Sequence, residues 1–240
     1  MRMYYKLSKF KKMKKVLLLL LLTGFGFMVK AQYYPIKFGL KAGATHATLS
    51  GFSYSGKEFQ MDYHTSFFAG VTVEVLFSET FSLQSGLSYV GKGGKGTFDI
   101  DLLGVNFAGS ATIKLNYLEL PVNVLLTIPS GDGSIVLGGG PYFGYGINAN
   151  SDYEMTLNGI DVNDIDDENV EIEEEPLRFG QNGLSRIDYG VNITAGYRFW
   201  SGVSINAGYG LGLNPILNDP DDPETKVKNR HFSLGLGFSF

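Results

Sequence analysis

The run Val203-Ser204-Ile205-Asn206-Ala207-Gly208-Tyr209-Gly210-Leu211-Gly212-Leu213 decides the fold. Its odd positions are apolar and its even positions are Ser, Asn or Gly, and a period of two marks a strand with one greasy face. The run after it repeats the pattern: Phe232, Leu234, Leu236, Phe238 and Phe240 alternate with Ser233, Gly235, Gly237 and Ser239. The run before it, Ile187 to Phe199, sets apolar residues against Asp188, Gly190, Asn192, Thr194, Gly196 and Arg198. Weaker copies at 36–46, 66–76, 81–91, 112–127 and 134–148 complete a set of eight strands. Each has at least the roughly nine residues that a tilted strand needs to cross a membrane.

The connections alternate in length. Those at 47–65, 92–111, 149–186 and 214–230 are long, and those at 77–80, 128–133 and 200–202 are short. An even strand count with large loops on one side predicts an all-β protein, an eight-stranded antiparallel up-and-down transmembrane β-barrel with periplasmic turns and extracellular loops. Phe77, Phe81, Phe199, Trp200 and Phe240 fall at the turn ends of their strands, where an interfacial aromatic girdle is expected. A soluble barrel would show the same alternation, but its outer face would be charged. Here the polar face is mostly Gly, Ser, Asn and Thr, which suits a narrow interior filled by side chains.

Composition agrees. Only 18% of the residues are charged, below the roughly 25% of soluble domains, and 32 of 240 are glycine, well above the usual share of about 7%. There is no cysteine, so disulfide frameworks, thiolate metal sites and cysteine nucleophiles are excluded. Residues 1–31 read as a signal peptide: Arg2, Lys6, Lys9, Lys11, Lys12, Lys14 and Lys15 precede the apolar run Val16 to Val29, and Val29-Lys30-Ala31 suits cleavage before Gln32. The apolar run is shorter than the roughly 20 residues of a transmembrane helix. The expected mature domain is 32–240, in the outer membrane of a Gram-negative bacterium. Residues 1–31 hold eight of the twenty basic residues and none of the twenty-four acids, so the net charge falls from −4 to −12 on cleavage. So acidic a chain repels phosphate backbones and is not expected to bind nucleic acid.

With the greasy face toward lipid, Lys37, Lys41, Glu74, Gln84, Glu119, Asn123, Asp188, Asn192, Arg198 and Asn206 point inward. Unpaired charge inside is costly, so Lys41, Glu74, Glu119, Asp188 and Arg198 are expected to form a structural network in which Glu74 and Glu119 meet Lys41 or Arg198. Ion or small-ligand passage along it is the alternative reading.

Other chemistry is weaker. Gly86 to Lys92 begins like a phosphate loop, but Gly93 stands where Ser or Thr would hold magnesium and no helix follows, so Gly91 to Gly96 reads as a solvated turn. His46, His64 and His231 read as solvated histidines in or beside three extracellular loops, with no metal-ligand spacing. No catalytic residue, cofactor or metal is expected, and the protein is read as non-enzymatic. The connection 149–186 carries eleven acids and no base before Arg178. Its cluster Asp164, Asp166, Asp167, Glu168, Glu171, Glu173, Glu174 and Glu175 is a candidate surface for an unidentified protein or a divalent cation, although it lacks the order of an EF-hand loop.

Five segments resemble the PorT-like family of outer-membrane β-barrel proteins: Phe38 to Gly43, Phe81 to Tyr89, Leu115-Asn116-Tyr117-Leu118-Glu119-Leu120-Pro121, Gly139 to Tyr145, and Lys228 to Phe238. Of these, Leu115 to Pro121 is the most specific. The resemblance implies a cell-surface barrel, with some relatives linked to protein secretion, and supplies no catalytic residues. It also implies that the barrel assembly machinery reads Phe240, the terminal aromatic of the last strand. The expected partners are therefore outer-membrane lipid and that machinery, and the expected role is an interaction or accessory one, in secretion or surface binding, through four extracellular loops. A purely structural membrane component is the rival.

Overall fold

A computed structural model describes residues 35–54, 57–59, 61–102, 105–157, 160–161, 177–180, 184–218 and 226–240. The expected signal peptide and the acidic cluster 164–175 lie outside the described residues. Eight long strands form a ring: β1 (Ile36–Ser50), β4 (His64–Leu76), β5 (Phe81–Leu102), β6 (Val105–Ser130), β7 (Gly133–Leu157), β9 (Ile187–Phe199), β10 (Val203–Gly212) and β12 (Lys226–Ser239). The short strands β2 (Phe52–Tyr54) and β3 (Lys57–Phe59) pair with each other, β8 (Ile160–Asp161) pairs with β7, and β11 (Leu217–Asn218) with β12. Every pairing is antiparallel between neighbours, and β12 returns to β1 from Gly39↔Ser239 to Ser50↔Lys228. The ring has no free edge within the membrane, as lipid requires, because an unpaired backbone group has no water to bond there.

The lipid face is plain in the exposure pattern. Ile193 is 64% exposed, Leu234 62% and Leu236 60%, while Glu74, Ser82, Glu119, Asn123, Asp188 and Ser204 are buried in the lumen. Phe77, Phe81, Phe199, Trp200 and Phe240 are exposed at the short-turn end. A second aromatic shelf closes the other side: His46 stacks on Tyr63 at 4.6 Å, Phe67 on Tyr89 at 5.0 Å, and Tyr209 packs on Phe232 at 4.7 Å. From Phe232 to Phe240 the outward face of β12 covers ~27 Å along the strand, or ~21 Å in height at a 40° tilt, close to the ~25 Å apolar band of such barrels.

Three strands run well past that band. β5, β6 and β7 have 22, 26 and 25 residues. The segment 92–111, read above as a long loop, is instead strand over 92–102 and 105–111, laddered from Lys92↔Leu115 to Leu102↔Val105. The connection 149–186 likewise begins with strand to Leu157, and 47–65 with strand to Ser50. Beyond the membrane the side preference inverts. On β6, Leu118, Leu120 and Val124 face lipid, whereas farther out Leu115 and Tyr117 turn inward to full burial. A register shift marks the change: Asn116 faces Asn148 while Tyr117 faces Gly146, so Ile147 is the extra residue of a bulge, and Ile147 and Asn148 are both exposed.

Candidate functional site

The lumen holds two charged clusters, each drawn from the inward positions of several strands. Nearer the short turns, Arg198 of β9 donates two hydrogen bonds to Glu74 of β4, at 3.2 and 2.7 Å, and Ser82 of β5 donates a third at 2.7 Å. The bidentate fork satisfies both carboxylate oxygens, the geometry in which a half-buried ion pair is strongest.

The outer cluster is organised by a residue read above as part of a solvated turn. Lys92 is 1% exposed, because β5 continues through it and the strand parity directs it inward. Its ammonium lies 2.7 Å from Glu119 of β6, off the hydrogen-bond direction, and donates to Asp188 of β9 at 3.0 Å. The Tyr142 ring lies 4.3 Å away and the Tyr117 ring 5.4 Å. Asn229 of β12 donates to Asp188 at 2.9 Å and to the Tyr117 hydroxyl at 3.3 Å. Five strands are thereby tied together across the barrel.

Glu119 thus meets Lys92, not Lys41 or Arg198, and Asp188 shares the same ammonium. Lys41 stands apart from both clusters, with its ammonium 6.0 Å from the Phe68 ring centre and no ion pair among the described residues. It borders a cavity of about 130 Å3, which Gln84, Asn192, Arg198 and Asn206 line and which Glu119 and His231 bound on the outer side. His231 is therefore not a solvated loop histidine. It is 7% exposed, because β12 begins at Lys226 and carries it on the lumen parity, under Gly210. His46 faces outward on β1 and bonds Thr65 at 3.0 Å, and His64 opens β4. No cluster of three or more metal-ligating side chains occurs among the described residues.

Above the outer cluster sits an apolar cap. Leu49, Leu115, Tyr117, Ala149 and Val227 of the strands pack with Phe179, Leu184 and Ile216 of the connecting segments. Phe179 meets Tyr117 edge to face at 5.3 Å, and a side chain at Gly146 would come within 2.6 Å of its ring, so glycine there makes room for the cap. Backbone bonds pin the cap: Gly146 N–H donates to the Arg186 carbonyl and Ser185 N–H to the Ile216 carbonyl, both at 2.7 Å, and Ile216 N–H to the Val227 carbonyl at 2.8 Å. Sequence reasoning missed this cap. The signal was Leu49, Leu115, Tyr117 and Val227 on the lumen parity, with Lys114 and Lys228 on the other.

Phe240 lies on the lipid face beside Phe38, their rings 6.4 Å apart, and their backbones exchange hydrogen bonds at 2.8 and 3.0 Å.

The family model for the outer membrane protein beta-barrel domain matches residues 30–218. The chain matches none of the curated proteins. Among solved structures it is similar to Ail, the attachment invasion locus protein of Yersinia pestis, crystallised with a heparin analogue, at 12% identity over 85% of this chain and 99% of that one, with a TM-score of 0.37. It is also similar to Neisserial surface protein A, at 14% identity over 85% and 97% and a TM-score of 0.37. The outer membrane protein OprG of Pseudomonas aeruginosa aligns at 14% identity over 88% and 98%, again with a TM-score of 0.37.

Proposed function

From the premise that the chain belongs to the outer membrane protein beta-barrel domain family and resides in the Gram-negative outer membrane, we propose that it is a non-enzymatic barrel whose work is done by the part held outside the membrane. The observation that carries this reading is the extension of β5, β6 and β7 past the apolar band as a laddered sheet reaching Leu102↔Val105 and Phe107↔Leu157. Membrane anchoring needs only about nine to eleven residues per strand, so a purely structural barrel has no use for the excess. On its outer side β5 pairs with β4 only as far as Val90↔Phe68, and beyond the bridge Asp62↔Lys95 its edge at 96–102 has no strand partner among the described residues. An edge of this kind accepts an added strand, and the acidic residues 164–175 add a surface for a basic partner or a divalent cation. Passage of small ligands is disfavoured by the Lys92 cluster and the cap above it.

Within the family, the likeness of Leu115 to Pro121 to the PorT-like branch supports an accessory role in secretion. Phe240, zipped to Phe38, is proposed as the signal read by the assembly machinery. The test of the main reading is crosslinking on intact cells of the full chain against two variants, one with the hairpin shortened between 96 and 111 and one lacking 162–176. Loss of a specific crosslinked partner from either variant, with heat-modifiable migration retained, is the expected result. An unchanged crosslinking pattern in both overturns the reading.

A further inference from the structure

The outward face of β12 changes abruptly where it leaves the apolar band. From Phe240 back to Phe232 every second residue is apolar; the next two outward positions are Arg230 and Lys228. The cross-strand neighbours of Arg230 are Thr48 and Leu211, and that of Lys228 is Ser50, so no acid faces either residue across the ladder. Neither has an ion-pair partner among the described residues. Lys114 shows the contrast: it too lies on the outer face just past the band, but Asp152 pairs with it across the β6–β7 ladder.

Position says what Arg230 and Lys228 face. Successive outward residues are ~7 Å apart along a strand, so at a barrel tilt Arg230 rises ~5 Å above Phe232, within the polar layer of ~5–8 Å on each side of the hydrocarbon, and Lys228 ~10 Å, at its outer rim, from where its long side chain can reach back. Directly beneath them is the shelf of Phe232, Tyr209, Tyr63 and His46, whose rings mark the interface. Two cations at headgroup height with no ion-pair partner among the described residues, on a chain with an excess of acids, are matched to an anion that belongs to the membrane.

We propose that Arg230 and Lys228 form a binding site for the phosphate of a phosphorylated glycolipid in the outer leaflet, with the aromatic shelf supporting its acyl region. Arg230 offers the planar fork suited to a phosphate, and Lys228 a second point charge one step farther out.

The test uses the full chain refolded into phosphatidylcholine nanodiscs doped with lipid A, either phosphorylated or enzymatically dephosphorylated, with lipid retained through purification counted by native mass spectrometry. The wild type is expected to retain the phosphorylated lipid selectively. The double variant K228Q/R230Q should lose retention about thirty-fold, the equivalent of ~1 kcal/mol for each basic side chain near a charged surface. The charge-keeping variant K228R/R230K should retain it, and K114Q should behave as wild type. Heat-modifiable migration certifies folding of each variant, and single R230Q and K228Q variants serve if the double variant does not fold. Equal retention of both lipids by the wild type, full retention by K228Q/R230Q, or an equal loss in K114Q overturns the proposal.

Discussion

Within the membrane, β6 turns Leu120 and Val124 outward and Glu119 and Asn123 inward; a few residues farther out it turns Lys114 outward and Leu115 and Tyr117 inward. The same backbone, with the same period of two, obeys opposite rules on the two sides of the bulge at Asn116 and Tyr117. The membrane half is stabilised by strand ladders and by polar pairs such as Arg198–Glu74, because lipid is as apolar as the side chains that face it and burial there gains nothing. The external half has water around it and a conventional core of Leu49, Leu115, Tyr117, Phe179 and Ile216, stabilised by removing apolar area from solvent. What separates the halves is the solvent, and Lys92 with its two carboxylates lies at the seam.

The largest expected effect is at that seam. Lys92→Met leaves Glu119 and Asp188 buried without their cation and should cost about 3–5 kcal/mol in urea unfolding of the refolded barrel. Lys114→Met, which breaks the exposed pair with Asp152, should cost about 0–1 kcal/mol. Equal shifts would mean that the seam carries no special load.

Next comes the lipid face. Leu236→Arg places a charge near the middle of the apolar band and should cost about 2–4 kcal/mol, whereas Leu211→Arg should cost about 0–1, because Leu211 sits opposite Arg230 at the band's outer limit. The fraction of heat-modifiable barrel recovered after refolding measures both. If Leu211→Arg proves as damaging as Leu236→Arg, the boundary is drawn too low on β10 and β12.

The smallest effect on the barrel should come from the cap. Phe179→Ala removes a ring that only the external half contacts, so its opening is local and the ladders beneath should be untouched. Limited proteolysis should become faster at 177–186 while heat-modifiable migration stays as in the wild type. A fall in barrel recovery would show that the two halves unfold as one unit.

The membrane half was legible because lipid enforces strict alternation: Val203 to Leu213 and Phe232 to Phe240 can be read as strands without any other knowledge. The inward placement of Glu74, Glu119, Asp188 and Arg198 followed from the same parity. The external half was not legible by that rule, since it was applied with lipid as the outside solvent throughout. Gly91 to Gly96, with four glycines and Lys92 and Lys95, looked like a turn, although the opposite segment Ala111 to Asn116 holds it as strand. His231 was misread for a related reason: β12 starts six residues earlier than the apolar alternation does, at Lys226, where the outward face is already basic. Which cation meets which carboxylate depends on strand stagger, and parity alone says nothing about it.

The pairing of Gly39 with Ser239 also has a kinetic side. Seven of the eight ladders join strands that are neighbours in the chain and can form as hairpins, each closing a modest loop. The eighth joins the two ends of the ring, and the entropy of bringing them together is recovered only once the other seven are in place. Closure is therefore the last step and the slow one, and until it happens β1 and β12 each present an open edge. An open edge of that kind is a template for pairing with another chain, and closing the ring removes it.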